Sequence, residues 1–278
     1  MKYFDAHTHL QFAAFDEDRE AAFLRSSEAG VGMNLVGTQL DTSIAGVEYA
    51  NSHDGVWASV GLHPIHTAKS YHDEKELGEG GKAFTSRGEI FNFDAYKALA
   101  LEPKTIAIGE CGLDYFRLDE ETKKTQTEAF VSQIELANAV KKPLMLHIRS
   151  GKHGEAENSA YDDAVELLKA HAKVQGDVHF FAGKWDTAKK FLDLGFTLSF
   201  TGVITFARDY EEVVRNTPLD MILSETDAPY VTPAPHRGTR NEPIYIPDIV
   251  RKIAEIKGIE EEAVRVQILL NAKRVFGL

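Results

Sequence analysis

The stretch Lys2-Tyr3-Phe4-Asp5-Ala6-His7-Thr8-His9-Leu10 opens as a short apolar run and ends on two histidines one residue apart. In a strand, side chains at i and i+2 share a face, so His7 and His9 would point at one place. Two neutral imidazoles converging there begin a site for a divalent metal. A pair of histidines is a weak motif by itself. Its weight depends on whether the rest of the chain repeats the design, a buried strand that ends on chemistry.

The design recurs. The runs Lys2 to His7, Val31 to Gly37, Val56 to Leu62, Thr105 to Glu110, Leu144 to Ile148, Asp177 to Phe181, Phe196 to Phe200 and Met221 to Glu225 read as eight strands, most of them nearly continuous in apolar residues. That is the pattern of strands buried on both faces of a parallel sheet. Amphipathic segments alternate with them. Asp16 to Ala29 closes at Gly30, Glu120 to Lys141 halts before Pro143, and Asp186 to Leu194 closes at Gly195. Eight such units with right-handed crossovers predict an α/β fold, a (β/α)8 TIM barrel. A doubly wound open sheet is the alternative, but His9-Leu10-Gln11 stands where its glycine fingerprint would follow the first strand. The tail from Ile249 to Phe276 reads as two helices broken near Gly258 that close the barrel.

A chain of 278 residues with 43% hydrophobic content suits one barrel better than two domains, so residues 1–278 are expected to form a single domain. Two stretches break the rhythm. Residues 66–91, with Glu79-Gly80-Gly81, read as a surface excursion after the third strand, either a lid or a plain solvated loop. Pro229 to Pro247 holds five prolines together with Arg237, Arg240, Asn241 and Glu242, a rigid polar loop placed to wall a substrate site.

Composition narrows the function. A net charge of −12 argues against a basic surface tracking a long phosphate backbone, while leaving room for one phosphate beside a metal. The first residues lack a signal-type apolar segment and no run approaches the roughly 18 residues of a membrane span, so a cytoplasmic protein without membrane contact is expected. The lone Cys111 permits no internal disulfide and reads as a small buried residue facing away from the barrel interior.

Barrels carry their chemistry at the C-terminal ends of the strands, and polar residues gather there: His7 and His9 after strand one, Glu110 after strand four, His147 after five, His179 late in six and Asp227 after eight. Singly, each is an ordinary strand terminus. Together, four histidines and two carboxylates buried at one end of a barrel would be costly without a cation.

The blocks Phe4 to Leu10, Gly61-Leu62-His63-Pro64, Gly109-Glu110-Cys111-Gly112-Leu113-Asp114-Tyr115 and Ser224-Glu225-Thr226-Asp227-Ala228-Pro229-Tyr230 occur in that order. With Pro143 to Arg149, Arg237 to Pro243 and Asn271 to Gly277, they make the whole chain resemble the TatD family of metal-dependent deoxyribonucleases. The resemblance implies a TIM barrel of the amidohydrolase type. It also implies two divalent cations per subunit (Zn2+, Mg2+ or Mn2+): His7, His9, Glu110 and Asp227 around one, and Glu110, His147 and His179 around the second. The chain departs from the family pattern at His179-Phe180-Phe181-Ala182-Gly183, where a small residue or Cys usually follows the histidine and a Ser or Thr precedes the glycine. It departs again in the long excursion after Pro64.

On that site Asp227 is expected to exchange the proton of an attacking water, with Glu225, two residues earlier, beside it. His63, Arg149 and Arg237 are candidates to hold phosphate, and an ordinary salt bridge is the competing reading for each arginine. Trp57, Trp185 and Tyr115 are rings that can stack on bases; Trp57, in a strand, reads as core packing and Tyr115 as the better pocket candidate. His53, His72, His153, His171 and His236 read as surface residues. The implied activity is hydrolysis of DNA phosphodiester bonds, 3'-5' exonuclease-like on single-stranded or frayed ends. The alternative is a small-molecule amidohydrolase acting on amides or lactones with the same ligands, and a non-catalytic barrel that binds metal or a partner protein is a third reading. The metal, the polarity of digestion, DNA against RNA and the oligomeric state, a monomer being one option, are left open by the sequence.

Overall fold

The computed structural model describes residues 1–69, 71–72, 84–116, 120–151 and 159–278. The Glu79-Gly80-Gly81 part of the excursion and His153 lie outside them. Eight strands form one sheet in sequence order: β1 (Tyr3–Thr8), β2 (Val31–Val36), β3 (Val56–Val60), β4 (Thr105–Asp114), β5 (Leu144–Arg149), β6 (Gly176–Val178), β7 (Thr197–Phe200) and β8 (Ile222–Ser224). Every ladder between neighbours is parallel. The helices between and after them are α1 (Arg19–Glu28), α2 (Leu40–Ser52), α3 (Phe93–Ala100), α4 (Glu120–Val140), α5 (Ala160–His171), α6 (Trp185–Asp193), α7 (Glu211–Asn216), α8 (Ile246–Lys257) and α9 (Glu261–Phe276). Alternating strands and helices with a nearly closed parallel sheet are the TIM barrel that the pattern of apolar runs predicts. The excursion contributes a two-residue antiparallel pairing, Tyr71–His72 with Phe84–Thr85.

The strand ends were less legible than the strands. β4 runs through to Asp114, so Glu110 lies within it and not at its end, whereas β6 stops at Val178, just before His179. α8 stops at Gly258, whose φ of +65° supplies the left-handed cap that ends a helix cheaply. One apolar cluster fills the space between sheet and helices. A second joins Phe4, Val36, Ile106, Met145 and Leu223, from five different strands, to Ala272 and Phe276 of α9, so the last helix seals one end of the barrel.

Two features position the chemistry. First, β1 and β8 share no ladder, and the gap is closed just beyond β8: Asp227 N–H donates to the His7 carbonyl at 2.9 Å and His9 N–H to the Ala228 carbonyl at 2.8 Å. The fully buried Asp5 carboxylate reinforces this by accepting from the Thr226 N–H at 2.8 Å and its hydroxyl at 2.5 Å. Second, β4 crosses β5 so closely that a Cβ on Gly112 (φ +142°) would sit 2.1 Å from the His147 carbonyl oxygen. Both the φ and the contact demand glycine. Gly112→Ala is therefore expected to cost about 2–4 kcal/mol and to displace His147, read as a lower urea midpoint together with weakened metal binding; a melt and metal affinity like those of the parent would refute the close approach.

Candidate metal centre

The site is organised around one carboxylate. Glu110 is buried in β4, with Oε1 lying 3.0 Å from His147 Nδ1, 3.0 Å from His179 Nε2 and 3.2 Å from His63 Nε2. Oε2 lies on the other side, 3.4 Å from His7 Nε2 and 3.8 Å from His9 Nε2. Asp227 Oδ1 faces the same two imidazoles at 3.8 and 3.4 Å. Its backbone is left-handed at φ 55°.

The outer nitrogens say which imidazoles offer a lone pair inward. His9 Nδ1 donates to the Val36 carbonyl at 2.8 Å. His147 Nε2 is 3.0 Å from Asp114 Oδ2, and His179 Nδ1 is 3.3 Å from Glu225 Oε1. A proton on each outer nitrogen leaves the inner one free to ligate, as in carboxylate–histidine–metal relays. His63 is reversed: its Nδ1 accepts the Ile65 N–H at 3.1 Å, so its Nε2 carries the proton and acts as a donor. The reading of His63 as a hydrogen-bonding residue and not a ligand fits this tautomer.

Burial penalises every charge here and the neighbours decide the outcome. Burial would raise Glu110, but His63, His179 and His7 hold it well below the usual carboxylate range. Burial pulls His179 and His147 down, but facing carboxylates win and raise both, His179 well above the ordinary imidazole value. Burial, with repulsion from His179, lowers His7, and burial with repulsion from His147 takes His63 to about 4. Burial would raise Asp227, yet the imidazoles of His9, His7 and His179 keep it below its usual value. The carboxylates thus demand positive charge that only some imidazoles supply. His7 Nε2 meets His9 Nε2 at 3.1 Å, and the buried His7 Nδ1 lacks a hydrogen-bond partner among the described residues. Convergent lone pairs beside two anions fit a divalent cation.

Glu225 takes a supporting position: Oε1 accepts the Phe180 N–H at 2.6 Å besides facing His179, and Oε2 accepts the Ser199 hydroxyl at 2.7 Å. Two residues escaped the sequence reading. Asp114 orients His147, and Asp5 braces Thr226 beside Asp227. Asp114 was readable, because four residues from Glu110 along one strand is the same face.

A cleft of about 440 Å³ opens over the centre, with His63 and Arg149 in its lining. Tyr115 and Arg237 are elsewhere. Tyr115 alternates outward from β4, buried among helix-facing residues with its hydroxyl 2.7 Å from Asp163 Oδ2. The Arg237 guanidinium lies 4.0 Å over the Phe206 ring and donates to the Thr232 carbonyl at 3.0 Å. In the same loop, Arg240 forks onto Asp18 of the segment before α1 at 2.7 and 2.8 Å and also reaches Glu242, so these charges pin the loop down. Trp57 packs edge-on against Phe4, and Trp185 packs against the main core.

A parallel eight-stranded barrel whose histidines and carboxylates form overlapping groups able to hold an ion is the arrangement of a metal-dependent hydrolase. The chain belongs to the TatD-related DNase family, whose model matches residues 4–277. It is 34% identical over 278 residues to the uncharacterized metal-dependent hydrolase YabD of Bacillus subtilis (strain 168), covering 98% of each chain. It is 32% identical over 285 residues to the 3'-5' ssDNA/RNA exonuclease TatD of Klebsiella pneumoniae (strain 342), covering 99% of this chain and 98% of that one. Among solved structures it shares its fold with YJJV, a TatD homolog from Escherichia coli K12, at a TM-score of 0.80 and 24% identity over 100% of this chain and 98% of that one. No helix among the described residues is long and apolar enough to cross a membrane.

Proposed function

We propose that this chain is an exonuclease that hydrolyses phosphodiester bonds of DNA in the 3'-5' direction from single-stranded or frayed ends, using two divalent cations, Zn2+, Mg2+ or Mn2+. The observation that carries the proposal is the two-sided environment of Glu110, with His7 and His9 against one oxygen and His147 and His179 against the other. His7, His9, Glu110 and Asp227 would hold one cation, and Glu110, His147 and His179 the other. The exonuclease named among the relatives supports the choice of substrate.

When bound, such a pair of ions lowers the pKa of water and neutralises charge on a phosphoryl oxygen. The residues of the chain do the rest. Asp227, kept ionised by its imidazole neighbours, takes the proton of the attacking water on its carboxylate and returns it to the leaving oxygen. Asp114 and Glu225 hold His147 and His179 with their lone pairs inward. The Arg149 guanidinium binds phosphate oxygens, and His63 lies beside it in the cleft with its Nε2–H on Glu110 Oε1.

The test is a panel of end-labelled single-stranded DNA, duplex DNA and RNA incubated with each metal. Single-stranded DNA shortening from its 3' end is expected. If clean protein degrades none of these with any metal, while hydrolysing an amide or lactone in a manner that His147→Ala abolishes, the nuclease reading falls and the amidohydrolase reading takes its place.

A further inference from the structure

One large apolar ring in the cleft has no part in holding the ligands. Phe180 follows His179 with φ at 44°, an unfavourable backbone for a bulky residue. Contacts on either side impose it. The Phe180 N–H donates to Glu225 Oε1 at 2.6 Å, and the next residue, Phe181, is locked in the core against Tyr161 and Phe191, with ring centroids at 5.4 and 6.4 Å. Two consecutive phenylalanines therefore face different surroundings: Phe181 packs inside, while the half-buried Phe180 ring lines the cleft, 6.3 Å from the His179 ring. On the opposite flank of the centre, Phe12 lies parallel over the His9 ring at 4.4 Å and 15° and lines the same cleft.

The cleft is poor in cations. Among the described residues lining it, Arg149 is the one guanidinium and there is no lysine, in a chain of net charge −12. Electrostatic grip along a strand requires many phosphate contacts, which this surface does not offer. Stacking on an aromatic face needs none, and it tolerates any base because every base has a π-face. A volume of about 440 Å³ is that of a pocket for one small ligand.

We infer that Phe180 is the platform on which the base of the terminal nucleotide stacks, with the scissile phosphodiester beside Glu110 and Asp227 and a phosphate on Arg149. This rests on the nuclease reading above and deepens it: the chain grips an end by one base and does not grip the strand, so cleavage requires an end whose base is free to leave its neighbours.

The test compares kcat/KM for a single-stranded oligonucleotide whose terminal nucleotide is intact with that for one whose terminal nucleotide is abasic. The parent protein is expected to prefer the intact end by about 5- to 150-fold, the usual worth of one stacked base. Phe180→Ala should bring the ratio close to one, Phe180→Trp should keep it, and Phe180→Leu repeats the test with the apolar volume preserved. Parental discrimination in both Phe180→Ala and Phe180→Leu overturns the proposal. If the parent cleaves neither oligonucleotide, the nuclease reading is at fault, and the platform is judged by binding alone: 2-aminopurine at the terminus should be quenched by the parent and less so by Phe180→Ala, and absence of quenching by the parent overturns the platform too.

Discussion

Glu110→Gln is expected to lower hydrolysis by roughly 10²- to 10³-fold, the cost of losing one fixed electrostatic partner in other active sites. The substitution keeps shape and removes charge. On whichever side it falls, within 3.0–3.8 Å of the His147–His179 or the His7–His9 nitrogens, the amide NH2 presents hydrogens in place of a charged lone pair, so that side loses the oxygen able to bind a cation. Because Glu110 serves both groups of imidazoles, the loss should appear as reduced metal content at both positions. The barrel should survive, since β4 is held by its ladders to β3 and β5. Turnover of labelled single-stranded DNA, metal content by mass spectrometry and far-UV circular dichroism decide the matter together. Parental metal content, or turnover within tenfold, would show that Glu110 does not join the two sides.

Chelation is expected to abolish hydrolysis reversibly and to lower the melting temperature. An ion present at 100 times its Kd contributes about 2.7 kcal/mol to the folded state, equivalent to roughly 5–10 °C for a chain of this size. Removal withdraws that contribution and leaves the buried carboxylates to be balanced by protonated imidazoles. Re-addition of Zn2+, Mg2+ or Mn2+ should restore both the melt and the rate, and the metal that restores the rate best identifies the working ion. Activity that persists after exhaustive chelation, verified by metal analysis, would remove cations from the mechanism.

The barrel was legible because buried parallel strands announce themselves as apolar runs, and all eight were found near their true places. Boundaries were legible only where hydrophobicity changed. β4 continues past Glu110, where the sequence reading ends it, through Cys111, Gly112 and Leu113 to Asp114, because its inward face carries chemistry in place of packing. That hidden extension explains one success and two failures. Counting alternation from Glu110 turns Cys111 outward, and the same count turns Tyr115 outward, away from the pocket expected of it, and Asp114 inward onto His147. Side-chain tautomers were beyond the sequence: His63 and His147 are both histidines near strand ends, and only the Ile65 N–H beside one and Asp114 beside the other distinguish the ring that turns a proton inward from the ring that turns a lone pair inward. The salt-bridged fate of Arg240 depended on Asp18, more than 200 residues away in the chain.

The absence of a ladder between β1 and β8 makes the centre a clasp as well as a reaction site. The first and last strands meet through Asp227 on the His7 carbonyl, His9 on Ala228 and Asp5 on Thr226, residues that are themselves the proposed ligands or their immediate neighbours. Breathing of the cylinder at this seam and slackening of the ligand geometry are therefore one motion. Anything that grips His7, His9 and Asp227 together also buttons the N-terminal and C-terminal parts of the chain to each other.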